Sequence, residues 1–387
     1  MCQVASMALW FSASAPAAQM LETGDLTARQ AGWLTIAVQL GFVAGTLLSA
    51  VTGLSDRFDP RRVFCLASLM GAGANLALLL TGFDGNGPIA LRFLTGMFLA
   101  GVYPVGVKLA GGWAKGAMGL MIGGLVGALT LGSALPHAFS SLGSVDWRMT
   151  VVLASTSAVA SGFFILSVAL GPQHRQSPAF RPADAFVQLR RPSVFLANGG
   201  YLGHMWELYA MWTWIPVFLV WALPQTGSDW TGRESLAAFV VIAIGAVGCV
   251  AAGLLADRIG RSVVATSAML ISGLCAALIG FAPPLGLWWL MTIALIWGVS
   301  VIADSAQFSA AIAELVPSEM VGTMVTLQTS LGFLLTIMSI QLMPLVVEAV
   351  SWRYAFAFLS LGPAFGAVCM LLLRRQSDAV LMADGRR

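Results

Sequence analysis

The chain has 387 residues, 58% of them hydrophobic and only 10% charged, with a formal net charge of +3. A soluble domain carries about 25% charged residues, so the composition excludes a soluble globular protein, and so small a basic excess gives no reason to expect a nucleic-acid partner. The five cysteines (Cys2, Cys65, Cys249, Cys275 and Cys369) lack metal or redox spacing and read as small core residues, so no metal and no cofactor is expected.

Crossing a hydrocarbon core of about 30 Å takes roughly 20 apolar residues of helix. In chain order such segments fall at 2–20, 30–53, 63–83, 88–110, 117–140, 149–170, 193–220, 235–255, 263–282, 287–312, 321–346 and 352–373, which makes twelve spans. Backbone polar groups in lipid must be satisfied internally, so these segments are helices. The alternating ten-residue pattern of a β-barrel is absent.

Span 1 has a signal peptide as its rival reading, but it lacks a basic leading segment and no soluble domain follows, which favours a membrane helix. Pro16 precedes Pro216 by 200 residues (216 − 16), and span 7 begins near Ser193. The start of span 1 is therefore expected to lie a turn or two before Met1.

Counting alternate loops puts Arg57, Arg61, Arg62, Lys115, Arg175, Arg181, Arg190, Arg191, Arg258, Arg261, Arg374, Arg375, Arg386 and Arg387 on one side. The other side holds Arg29, Arg148, Arg233 and Arg353. The positive-inside bias predicts that both termini are cytoplasmic, in the inner membrane of a bacterium.

Two basic turns recur at constant spacing. The first runs from Gly53 through Asp56, Arg57, Asp59, Arg61 and Arg62; the second from Gly253 through Ala256, Asp257, Arg258, Gly260 and Arg261. Asp257 follows Asp56 by 201 residues (257 − 56), and Trp352-Arg353 follows Trp147-Arg148 by 205 (352 − 147). Repeated loops at fixed spacing between apolar spans indicate an internally duplicated transporter. Its parts are a six-helix bundle at 1–170, a cytoplasmic linker at 171–192 with four Arg and four Pro, a second bundle at 193–373 and a tail at 374–387.

These residues resemble the major facilitator superfamily, whose loop between helices 2 and 3 reads Gly-x-Leu-Ala-Asp-Arg-x-Gly-Arg-Arg/Lys. The second copy fits through Gly253, Leu255, Ala256, Asp257, Arg258, Gly260 and Arg261. The first departs, with Thr52 and Asp59 at the glycine positions and Pro60 inserted, but keeps its charges in Asp56, Arg57, Arg61 and Arg62. The resemblance implies an all-α integral membrane protein of twelve helices in two pseudo-symmetric bundles. It also implies that the loops form a cytoplasmic gate, where each aspartate accepts hydrogen bonds from the next helix or from an arginine of the opposing bundle. The plainer reading is that the arginines only hold the loops inside.

In that family spans 1, 4, 7 and 10 line the path. Glu207 and Asp304 lie near mid-membrane in spans 7 and 10, where an ionisable group costs at least ~2.5 kcal/mol and needs a partner or a task. His204 shares a helix face with Glu207, and Gln307 with Asp304. Span 4 offers Arg92, in a pattern resembling the family's Arg-x-x-x-Gly, and Tyr103, the counterpart of Asp304 by the 201-residue offset (304 − 103). Arg92 is read as a cavity cation able to pair with substrate or a carboxylate, or else as a snorkelling side chain. Trp10 and Tyr209 are the aromatic candidates, while Trp212 and Trp214 suit an interfacial belt. Glu207 and Asp304, with His204 one turn from Glu207, are read as the proton and substrate site, because both acids sit at similar depth on path-lining helices; alternatively the acids clamp helices together.

The expectation is a secondary transporter working as a monomer in the bilayer, moving a small organic solute with protons. A solute sensor, an uncoupled facilitator and a membrane enzyme are the alternatives, the last weakened by a total of three histidines. Nitrate carriers, drug antiporters, phosphate-ester antiporters and metal carriers are disfavoured, because their helix signatures or cavity cations are missing or broken. No Gly-x-x-x-x-Gly-Lys-Ser/Thr loop is present for ATP-driven pumping.

Overall fold

The computed structural model describes residues 1–22, 26–81, 85–111, 113, 118–142, 146–172, 182–230 and 232–386, with the backbone alone at 18, 19, 22, 55, 56, 111, 118–120, 182–184 and 384. The described residues form helices and connecting turns. Ten helical segments are long and apolar enough to cross a membrane. Nine of these are spans 2 to 10: Ala28–Thr52, Pro60–Thr81, Gly87–Ala110, Met121–Leu142, Trp147–Ser167, Pro192–Thr226, Glu234–Ile259, Arg261–Phe281 and Leu287–Leu315. The tenth, Ser318–Arg374, contains spans 11 and 12, divided at Ser351, whose φ of 62° is left-handed. Span 1 makes up the twelve, as two short helices, Cys2–Met7 and Ala17–Glu22, joined by an unwound stretch. The face bearing Arg57, Arg61, Arg62, Arg258 and Arg261 is called here the basic face.

Local chemistry accounts for the breaks. In residues 8–16 the hydroxyls of Ser12 and Ser14 compete with the backbone ladder, and Pro16 supplies no N–H. Ser12 Oγ donates to the Leu9 carbonyl at 3.0 Å, and short-range turns such as Trp10 N to Met7 O replace helix bonds. Span 4 is interrupted at Ala100–Val102, just before Pro104, and span 10 at Asp304, while spans 3 and 8 have single-residue breaks at Ala77 and Ile244. Tyr103 and Asp304 thus stand at matching interruptions.

Small residues bring the helices together, as lipid-embedded packing requires. A Cβ on Gly96 would strike the Val38 carbonyl, and one on Gly298 would strike the Val241 carbonyl. These are spans 4 on 2 and 10 on 8, so the duplication extends from loops to packing. Between the halves, span 5 lies along span 8 and span 11 along span 2. Near the basic face a Cβ on Gly123 would come within 2.7 Å of the Cys249 carbonyl and 3.6 Å of Gly253 Cα. Thr336 of span 11 donates to Gln39 of span 2 at 2.6 Å.

Candidate functional site

Mid-membrane, the two halves meet through aromatic rings. Trp10, in the unwound part of span 1, lies 5.2 Å from Phe42, 5.8 Å from Tyr209 and 5.4 Å from Phe333, centroid to centroid. Tyr209 also touches Phe333 at 5.0 Å and Trp212 at 5.5 Å. Phe11 completes the cluster against Trp212 at 6.0 Å and His137 of span 5 at 6.3 Å. Every one of these side chains is buried. The structure therefore brings Trp10 and Tyr209 together, and adds Phe42, Phe333 and His137, which have no distinguishing sequence pattern. Trp212 and Trp214 are not in an interfacial belt: both are buried, and Trp214 Nε1 donates to the Ile340 carbonyl at 3.1 Å.

Arg92 sits elsewhere than at a cavity wall or a lipid interface. It is fully buried, and Nη1 donates to the Leu9 carbonyl at 3.0 Å, to Ser12 Oγ at 3.2 Å and to Asn75 Oδ1 at 3.0 Å. Nη2 donates to the Trp10 carbonyl, and Nε to the Leu34 carbonyl at 3.4 Å. Unwinding span 1 frees carbonyls that lipid cannot satisfy, and the five-donor guanidinium takes them up. Arg92 holds the backbone that carries Trp10.

The acids separate. Although Glu207 and His204 are one turn apart, they face different neighbours. Glu207 accepts from Ser272 Oγ of span 9 and Trp297 Nε1 of span 10, both at 2.8 Å, inside the second half. By the 201-residue offset (207 − 6) its counterpart is Ser6, which likewise meets Ser68 of span 3 at 2.9 Å. His204 instead lies against Asp304, Nδ1 to Oδ1 at 2.8 Å, within ion-pair distance for a protonated imidazole but without hydrogen-bond alignment. Both are about 2% exposed, and His204 Nε2 has no partner. Phe308 and Tyr201 cover the imidazole at 5.5 and 6.1 Å. Gln307 is drawn away from Asp304, accepting from Arg261 Nη1 at 3.3 Å. Tyr103 is half-buried against the main core.

The basic-face loops brace their own halves. Arg261 is buried and forks onto Glu314 at 2.8 and 2.6 Å, tying span 9 to the end of span 10, with Asp257 at 3.7 Å. Gly260 has a φ of 100°, open to glycine but strained for other residues, which lets span 9 start immediately after span 8. Arg386 donates to the Asp257 carbonyl. In the first copy Asp59 caps span 3 and pairs with Arg61 at 2.7 Å, while Arg61 Nη1 donates to the Val168 carbonyl at 3.2 Å. The Arg61 side chain beside Asp59 holds its carboxyl below the usual carboxylate range. The expected cross-bundle bonds from Asp257 and the arginines are not among these contacts; what crosses here is the close approach of Gly253 to Gly123. The Asp56 side chain lies outside the described residues. A cavity of about 530 Å³ opens nearby between spans 2, 3 and 4, with Leu48, Phe58, Leu66 and Met70 exposed around Arg62, away from the aromatic cluster.

The family model of the Major Facilitator Superfamily matches residues 1–340. The chain belongs to this superfamily. It is thereby a secondary transporter embedded in the bilayer, as the duplicated bundles accord with. Its fold is similar to that of the MFS proton:xylose symporter XylE, solved with bound 6-bromo-6-deoxy-D-glucose. That likeness has a TM-score of 0.67 at 12% identity and covers 96% of this chain and 94% of the other. No curated protein matches the sequence.

Proposed function

We propose that the chain moves a small organic solute by alternating access, with protons as the coupling ion and the His204–Asp304 pair as their carrier. The carrying observation is that contact: an imidazole and a carboxylate 2.8 Å apart, buried, at the interruption of a path-lining helix. With one proton held by either residue the pair has zero net charge, and it gains one unit on taking up another. The cost of burying that unit opposes reorientation until substrate is bound or the proton is released. The solute binds at the Trp10–Tyr209–Phe333 cluster, where the two halves touch. Tyr103, at the matching break in span 4, is a further candidate for the lining of the same path. By the positive-inside rule the basic face is cytoplasmic, and both termini with it. The symporter named above is of the same fold, which is in keeping with proton coupling.

Asp304→Asn removes the titration while keeping size. In proteoliposomes it should abolish transport driven by a pH gradient and leave exchange at equal pH measurable. Gradient dependence equal to wild type in both Asp304→Asn and His204→Gln would show that this pair carries no proton, and transport indifferent to pH in the wild type would make the protein a facilitator.

A further inference from the structure

The aromatic cluster between the halves contains polar groups with nothing to bond. Trp10 Nε1, Trp212 Nε1 and both ring nitrogens of His137 have no hydrogen-bond partner, and each of the three residues is 1% exposed. Ring contacts link them in one run: His137 touches Phe11, Phe11 touches Trp212, Trp212 touches Tyr209, and Tyr209 touches Trp10. Gln39 Nε2, one helical turn from Phe42, is also unbonded, its carbonyl being taken by Thr336. An orphaned buried donor is destabilising, and an indole N–H can only donate. A neutral His137 leaves one donor and one acceptor unmet, so the excess is of donors, from Trp10, Trp212 and Gln39, and the ligand that relieves it brings acceptor oxygens.

Charge narrows the class. Among the described residues Arg92 is the guanidinium nearest this depth, and its N–H groups are spent on carbonyls, Ser12 and Asn75. A carboxylate or phosphate would be desolvated there without a counter-ion to offset the loss of its water. A sugar presents many hydroxyls, and the ring-lined spot has few groups to satisfy them. We infer, on the transport reading above, that the substrate is an uncharged, flat, largely apolar molecule bearing a carbonyl oxygen. It parts Trp10 from Tyr209 and Phe333, lies between the rings, and accepts hydrogen bonds from the indoles of Trp10 and Trp212. Because those ring contacts join the two halves, filling the spot and loosening the halves are one event.

The test uses the full chain in lipid nanodiscs and four probes: benzamide, its charged isostere benzoate, D-xylose, and ethylbenzene, which has a ring but no oxygen. Benzamide should bind at least about tenfold more tightly than benzoate or xylose, the factor expected of one unmet charge or hydrogen bond. Trp10→Phe and Trp212→Phe keep a ring and delete the donor, so each should weaken benzamide by about five- to tenfold more than ethylbenzene. Equal losses for the two probes, or tighter binding of benzoate or xylose, would overturn the inference. Counterflow above that of protein-free vesicles separates it from the transport reading: benzamide bound in the expected order but not moved would leave the class standing and sink transport, while efficient movement of xylose or benzoate would do the reverse.

Discussion

Arg92 and Glu207 show what a charged side chain does in a membrane when protein groups, and not substrate, consume it. Glu207 meets two donors of its own half, so Glu207→Gln should keep one acceptor, fold, and retain wild-type gradient dependence, losing about 1–2 kcal/mol of stability in denaturation. Loss of gradient-driven transport in Glu207→Gln with the fold intact would restore it as a proton carrier. Arg92→Met orphans the Leu9 and Trp10 carbonyls together, at about 1–3 kcal/mol each. We expect a marked fall in thermal stability with Trp10 released from Tyr209 and Phe333, read as altered near-UV dichroism; an unchanged melting temperature would show that span 1 holds its own shape. The depth of both residues is legible in the sequence, because hydropathy places them. Their partners are not. The carbonyls that hold Arg92 exist only because span 1 unwinds, and the Ser-Ala-Ser-Ala-Pro run that unwinds it also suits a continuous small-residue helix.

Among the elements, apolar length predicts that a segment crosses, and so twelve crossings are readable, but it does not predict that each is one unbroken helix. Pro16 and Pro104 stand beside two of the interruptions and hint at them, whereas the break at Asp304 has no breaker residue. Spans 11 and 12 blur the other way, joined across Ser351 with no polar loop to divide them. The glycines are better witnesses to contact than to helix shape. Gly123 lets span 5 lie against the Cys249 carbonyl of span 8, and Gly253 of the repeated loop lies beside it. Gly123→Val puts a branched carbon into that seam, an overpacking of about 1–3 kcal/mol that separation of the helices relieves. In a variant whose sole thiol is Cys249, fully buried in the native chain, Gly123→Val should speed labelling by a membrane-impermeant maleimide several-fold. Unchanged labelling would mean that spans 5 and 8 do not form the closed gate at this face.

Across the whole molecule, the tail makes the basic face of the second half a single body. Asp378 accepts from Arg191 Nη2 at 2.9 Å and Ser193 Oγ at 2.8 Å, at the start of span 7. Arg191 also donates to the Leu315 carbonyl at the end of span 10, at 2.8 Å. Further along, the Ala383 amide donates to Glu314 at 3.1 Å, the carboxylate already forked by Arg261, while Ala379 and Met382 are buried. Spans 7, 9 and 10 are thereby held in register, as a half that rocks rigidly requires. The Arg191 hydrogen bond, with that of Ser193, holds the Asp378 carboxyl below its usual range. A depressed carboxylate pKa means that docking is at full strength above the free value near 3.9 and is lost only as pH falls through the lower folded value. Hydrogen exchange at residues 377–385, corrected for intrinsic rates, should therefore stay constant from neutral pH to about pH 5. It should quicken in stronger acid by about two- to fivefold, the scale of a partly exposed ion pair. Asp378→Asn should show the faster exchange already at neutral pH and no acid step. An acid step that survives in Asp378→Asn, or a wild-type tail that loosens near neutral pH, would assign the docking to another group.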